Sequence, residues 1–177
     1  GAAAVCVGII VGVVTLTGVG FRLGFVVIQT AGDISNFFSN IWPISFFSFE
    51  DLRLFFSLVL IAISCIIMGA GIPTTATYII LVAVAAPALA QLGIEPLVAH
   101  FFVFYYGVLA DITPPVALAA YAASGIAKSN PFKTGNTAFR LGIAKALVPF
   151  VFVYSPSLLL ITGEFQTNQL IITLIGT

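Results

Sequence analysis

Residues 69–77 read GAGIPTTAT, set between LFFSLVLIAISCIIM on one side and YIILVAVAAPALA on the other. Pro73 has no backbone N–H and its ring crowds the preceding turn, so a helix cannot run through it undisturbed. Gly69 and Gly71 loosen the backbone over the same few residues. The stretch therefore divides one apolar segment into two. DITPP at 111–115 repeats the interruption with two consecutive prolines, and a residue before proline favours extended backbone. In hydrocarbon, a broken helix exposes amides and carbonyls that lipid cannot satisfy. Such breaks persist only where protein, water or a bound ion supplies partners.

Composition makes hydrocarbon the relevant surroundings. Of 177 residues, 60% are hydrophobic and 7% charged, against roughly 25% charged in a soluble domain. That is too few to coat a water-facing surface, so the lipid bilayer is the expected solvent. Six basic and six acidic residues cancel, which leaves no electrostatic footprint for nucleic acid. Cys6 and Cys65 lie in apolar runs and read as inert core thiols. No HExxH, CxxC, GxSxG or Walker loop occurs, so the sequence points to no enzyme and no cofactor. The first residues are already apolar and the last ones begin another apolar run, so the chain reads as a portion of a larger membrane protein.

The expected fold is all-α and membrane-embedded, with transmembrane helices, a re-entrant helical hairpin and a broken helix. A transmembrane helix is expected over 1–30, with Gly8/Gly12 and Gly20/Gly24 spaced for close helix packing. Its TLTG at 15–18 marks a possible local irregularity. A polar, aromatic connection follows at 31–51, where Trp42 and neighbouring phenylalanines fit a membrane-interface belt. Residues 52–127 hold both interruptions and form the core of the reading. A loop at 128–136 precedes a further transmembrane helix at 137–162, and 163–177 begin another apolar segment.

Sidedness follows from charge. Lys128, Lys133 and Arg140, with Lys145 just beyond, have no acidic residue among them, which makes that loop cytoplasmic. The LGIEP turn at 92–96 and the 31–51 connection then lie on the opposite face. Both flanks of GAGIPTT start from that face, so the segment either crosses twice or dips in and returns. Arms of about 16 residues, slightly short of a span, and a chargeless tip favour the re-entrant hairpin.

Freed carbonyls and hydroxyl oxygens suit a hard cation, and half-helix N-termini favour anions. Thr74, Thr75, Thr77 and Thr113 supply such oxygens beside the breaks. The plainer alternative is a pair of proline kinks with hydroxyls bonded to their own helices. Two Gly/Pro interruptions so close together favour a site. Asp111 is the acidic residue deep in an apolar segment; it could bind a cation, cap the following half-helix or be protonated. His100 reads as structural, since Glu95 is its one local carboxylate.

GAGIPTTATYIILVAVAAPAL, HFFVFYYGVLADITPPVALAAYAASGIA and NPFKTGNTAFRLG, with VPFVFVYSPSLLL downstream, resemble the large membrane subunit of tripartite ATP-independent periplasmic (TRAP) transporters, best in the fused permeases of the TAXI branch. The resemblance covers most of the chain between 52 and 160, and the 31–51 connection is longer than it leads one to expect. It implies a sodium-driven importer of organic acids in the bacterial or archaeal inner membrane. The implied partners are a periplasmic substrate-binding protein and the remaining permease region or small membrane subunit. The implied architecture is an elevator of two inverted repeats, of which this chain looks like the second. By that analogy Gly71, Pro73, Thr74, Thr75, Pro114 and Pro115 are candidates for contacting substrate. Gly69, Thr74, Thr75, Asp111 and Thr113 are candidates for the sodium region. The alternatives are a sodium-coupled carboxylate carrier without a binding protein, and a channel-like or structural subunit.

Overall fold

The computed structural model describes residues 2–41 and 48–159, and all regular structure among them is helical. The chain opens with α1 (Ala2–Thr17) and α2 (Val19–Ile41), which meet at 64° across Gly18. The break has local causes. Thr15 and Thr17 turn their hydroxyls back onto the carbonyls of Val11 and Val13, at 2.8 and 2.6 Å, a bond that tends to bend helices. Gly18 then takes φ +64°, open to glycine at no steric cost. One helix was expected over 1–30; two are found, with the bend at the TLTG. The second continues to Ile41, through much of the expected 31–51 connection. The interface role expected of Trp42 and the apolar segment at 163–177 both lie outside the described residues.

The next helix, α3 (Phe49–Gly69), starts at a capping box in which Ser48 and Asp51 satisfy each other's backbone N–H groups. After a four-residue turn the chain returns as α4 (Thr74–Gln91) and then enters α5 (Pro96–Ala110), which begins with proline at its first turn. Residues 111–117 interrupt the path, and α6 (Leu118–Ala127) resumes it. Helix α7 (Pro131–Gly142) occupies most of the stretch read as a loop at 128–136. Its start is chemically ordinary: the Asn130 side chain accepts from Lys133 N at 3.1 Å, and Pro131 sits in the first turn. A 3-10 stretch (Ile143–Leu147) leads into α8 (Val148–Tyr154).

The core lies where α3, α4 and α5 meet, with Leu58, Cys65, Leu81, Leu89, Phe102 and Val103 buried together. Lipid is as apolar as these side chains, so close packing rather than water exclusion holds such helices together. Helix α2 achieves that closeness against α4 through glycine. A Cβ on Gly20 would lie 2.7 Å from the Ala83 carbonyl oxygen, and one on Gly24 would lie 2.8 Å from the Ala88 Cβ. A Cβ on Gly8 or Gly12, by contrast, would meet nothing within 4 Å among the described residues.

The C-terminal helices run antiparallel to the broken one. Gly135 of α7 packs on Tyr121 of α6, and Gly142 packs on Ile112 in the break. The Tyr106 hydroxyl of α5 donates to the Ala146 carbonyl at 2.6 Å. Phe150 of α8 meets Phe102 of α5 at 5.8 Å. The segment Pro131–Tyr154 has the length and composition of one membrane span. It follows α6, the break and α5 in turn.

Candidate functional site

The hairpin tip is residues 70–73. The N–H of Ala70 donates to Ile67 and that of Ile72 to Gly69, at 3.4 and 3.3 Å, so the chain tightens as α3 ends. Gly71 turns it with φ +84°, and Pro73 is extended as α4 begins. The first backbone bond of α4 runs from Thr77 N to the Pro73 carbonyl, at 2.9 Å. Among the described residues no side chain caps this terminus, which leaves the N–H groups of its first turn without a partner there, at the positive end of the helix dipole.

Thr77 has a separate job. Its side chain is 1% exposed and its hydroxyl donates to the Ile72 carbonyl at 2.9 Å, fastening the turn to the helix it starts. Thr74 and Thr75 are exposed, and their hydroxyls make no hydrogen bond with the described residues. Their oxygens are therefore open to a ligand.

At the other interruption α5 tightens through bonds from Asp111, Ile112 and Thr113 N–H to the carbonyls three residues earlier, at 3.1–3.2 Å. Thr113 also donates its hydroxyl to the Leu109 carbonyl at 2.7 Å, which leaves that oxygen's lone pairs free. The Pro114–Pro115 peptide is cis, and Ala117 has φ +37°. Tyr121 donates its hydroxyl to the Pro115 carbonyl at 2.6 Å, bridging the break to α6. Among the described residues no hydrogen bond reaches the carbonyls of Gly71, Ile112, Pro114 or Val116. Both interruptions thus carry unpaired acceptors, as breaks in hydrocarbon do when a ligand or another protein surface completes them.

The two interruptions touch. A Cβ on Gly69 would come within 3.0 Å of the Ala110 Cβ, and one on Gly71 would stand 3.4 Å from Val116 Cγ1. Gly69, Gly71, Pro73, Thr74 and Thr75 thus share one end of the hairpin, and that end abuts the break containing Asp111, Thr113, Pro114 and Pro115. Asp111 is half-buried, and its carboxylate has no hydrogen bond or ion pair among the described residues. It does not cap α6 with its side chain; its main-chain carbonyl does the holding, accepting from Ala119 N at 3.1 Å.

Two further groups have partners that the sequence does not name. His100 is partnered not by Glu95 but by Tyr78 of α4, whose hydroxyl lies 2.8 Å from Nδ1. Lys145, just beyond the basic loop and inside the helix expected over 137–162, sits in the 3-10 stretch beside the break. There it lines a cavity of about 290 Å³ with Ile112, Leu109 and Val108. Its spacing from Arg140 gave no warning, because a 3-10 stretch does not keep the 3.6-residue register. Among the described residues no three His, Cys, Asp or Glu side chains gather as a transition-metal site would need.

A family model described as "Tripartite ATP-independent periplasmic transporter, DctM component" matches residues 2–167. No curated protein and no solved structure matches the chain.

Proposed function

The chain belongs to the DctM-component family of tripartite ATP-independent periplasmic transporters, and from that premise we propose a sodium-coupled permease that imports organic acids by an elevator movement. The supporting observation is the contact between the hairpin tip and the broken helix. Sodium, a hard cation, takes several oxygen ligands, neutral carbonyls and hydroxyls among them. The Thr74, Thr75 and Thr113 hydroxyls and the unpaired carbonyls of Gly71, Ile112, Pro114 and Val116 offer that set. A cargo carboxylate suits the uncapped N-terminus of α4. Asp111 and Gly69 belong to the same sodium region, and Pro73 and Pro115 to the substrate side, in this reading.

The hairpin reads as re-entrant. Its arms have 21 and 18 residues, about 31 and 27 Å at 1.5 Å per residue. Each is long enough to cross alone, so the short arms expected from the sequence do not carry the reading. The tip contact does. Helices α5 and α6 together line the span Pro131–Tyr154 from end to end, so their break lies inside a crossing. In this reading a tip held against Ala110 and Val116 would stop at that depth, about one α6 length short of the Lys128 end.

Family membership makes a periplasmic binding protein and a small membrane subunit the general partners. For this chain we propose both, with placement in the inner membrane, the TAXI branch and the role of second inverted repeat. Reconstitution tests the reading. Proteoliposomes with the complete permease should take up an organic acid only with an inward sodium gradient and the matching binding protein. Uptake indifferent to sodium removes the coupling, and uptake without a binding protein points to another type of carrier.

A further inference from the structure

Lys145 stands apart from the basic loop that precedes α7. Helix α7 runs antiparallel to α6, so residues later in α7 lie nearer the break: Gly135 is level with Tyr121, and Gly142 with Ile112. The following 3-10 stretch is level with Tyr106, whose hydroxyl holds the Ala146 carbonyl. Lys145 therefore lies beyond the far end of α7 from Lys128, and 12 residues along the chain from Lys133 in the first turn of that helix. It is exposed beside the break, within the segment Pro131–Tyr154 that has the length and composition of a membrane span, where a cation facing lipid would need a counter-charge. Between Asp111 and Glu164 the sequence has no acidic residue. Among the described residues the one ion pair is Arg53–Glu50, at 3.8 Å.

The cavity that Lys145 lines is otherwise apolar. Phe104, Val108, Ile112 and Val148 wall it, with the Tyr105 ring at its side. Its volume of about 290 Å³ suits a small molecule, and such pockets combine apolar walls with one or two polar groups that fix orientation. A lipid headgroup would bring a phosphate, but it belongs at the membrane surface, one helix length away. A dicarboxylate would leave its second charge against phenylalanine and valine, with nothing to offset the lost hydration.

We propose that Lys145 and this cavity receive a monocarboxylate with an apolar body, the carboxylate on the ammonium group and the body against Phe104, Val108 and Val148. The inference rests on the permease reading above and adds a second anion position to it: an amphipathic monocarboxylate held on the α8 side of the break, separate from the cargo carboxylate at the N-terminus of α4.

The test is binding to the complete permease purified in detergent, by titration calorimetry, with 3-phenylpropionate as probe and 3-phenylpropanamide and succinate as comparisons. The acid is expected to bind at least tenfold more tightly than its amide and than succinate. Lys145→Met should weaken 3-phenylpropionate at least tenfold, whereas Lys145→Arg should stay within about threefold of wild type. Val148→Trp, which fills the cavity and leaves the cation, should weaken it as much as Lys145→Met. Circular dichroism and gel filtration show which variants are folded, and a misfolded Lys145→Met leaves the decision to Val148→Trp. Absent binding to wild type, equal binding of acid and amide, or unchanged binding in both variants overturns the proposal. Sodium-driven uptake is measured on the same preparations. Uptake of another acid with no 3-phenylpropionate binding removes this site alone, whereas lysine-dependent binding with no sodium-driven uptake removes the transport reading alone.

Discussion

Gly69 of α3 and Ala110 of α5 approach so closely that a Cβ on the glycine would lie 3.0 Å from the alanine Cβ and 2.9 Å from Thr77 Cγ2. The tip therefore rests on the broken helix through a contact that only glycine permits. Gly69→Ala should destabilise the protein by about 1–3 kcal/mol through overpacking, seen as a lower melting temperature in detergent. Gly125→Ala, in α6 with no neighbour within 4 Å, should leave the melting temperature unchanged or raise it. Equal effects at the two positions would mean that the tip does not lean on α5.

The threonines of the tip should separate by role. Thr77→Val removes the buried hydroxyl that holds the carbonyl of half-buried Ile72, at a cost of about 1–2 kcal/mol for the acceptor left without it. Thr74→Val and Thr75→Val remove exposed hydroxyls with no bond among the described residues, so stability should change by less than about 0.5 kcal/mol. Their effect should instead fall on sodium, raising the concentration for half-maximal uptake several-fold. If sodium dependence is unmoved in both, the tip is not a cation site.

The small-residue pairs of the first two helices make a matched comparison. Gly20→Leu and Gly24→Leu drive a side chain into the α4 backbone and into Ala88 respectively. They should lower the melting temperature of the purified permease sharply. Gly8→Leu and Gly12→Leu meet nothing within 4 Å and should be much milder. Equal losses at all four positions would show that the spacing, not the contact, was being read.

That comparison also shows what the sequence discloses. Small residues four apart were visible at both places, but the spacing is the same whether or not a partner stands opposite, so only the fold tells Gly24 from Gly8. The two proline interruptions were legible because proline and glycine act on their own backbone, whatever surrounds them. Their contact was not, since Gly69–Ala110 joins residues 41 apart through packing. The Gly18 bend left a trace in TLTG, but hydroxyl back-bonding is weak and occurs in unbent helices too. KSNPF looked like a loop because its polarity outweighed a cap and a proline that start α7. The neighbours of Lys145 were not legible for a related reason: position along the chain does not tell which residues of α5 stand opposite once a helix doubles back.

Tyr78 and His100 tie the returning arm of the hairpin to the broken helix by one hydrogen bond of 2.8 Å, with the rings edge to face at 6.2 Å. A double-mutant cycle of Tyr78→Phe and His100→Phe should give a coupling of about 0.5–1.5 kcal/mol, within the range for polar pairs between membrane helices. Unfolding of the purified permease in graded denaturing detergent measures it. A coupling near zero would leave His100 as a packing residue.

The depth of the tip decides between a re-entrant hairpin and two crossings, and it can be read by labelling. Thr75 is exposed and belongs to the first turn of α4, so Thr75→Cys introduces a thiol there without the strain expected at Gly71, where φ is +84°. Glu95→Cys and Ser129→Cys mark the two ends of the α5–α6 path, in a background with Cys6 and Cys65 replaced by serine and alanine. A membrane-impermeant maleimide should reach Ser129→Cys from the cytoplasmic side and Glu95→Cys from the other. Thr75→Cys should label from the cytoplasmic side at least tenfold more slowly than Ser129→Cys, and sodium should slow its labelling further if its neighbours hold the ion. A hairpin made of two full crossings would carry Thr75 out to the surface occupied by Ser129. Labelling at equal rates, with and without sodium, would therefore put the tip in water. The unpaired carbonyls at Gly71 and Val116 would then need no ligand at all.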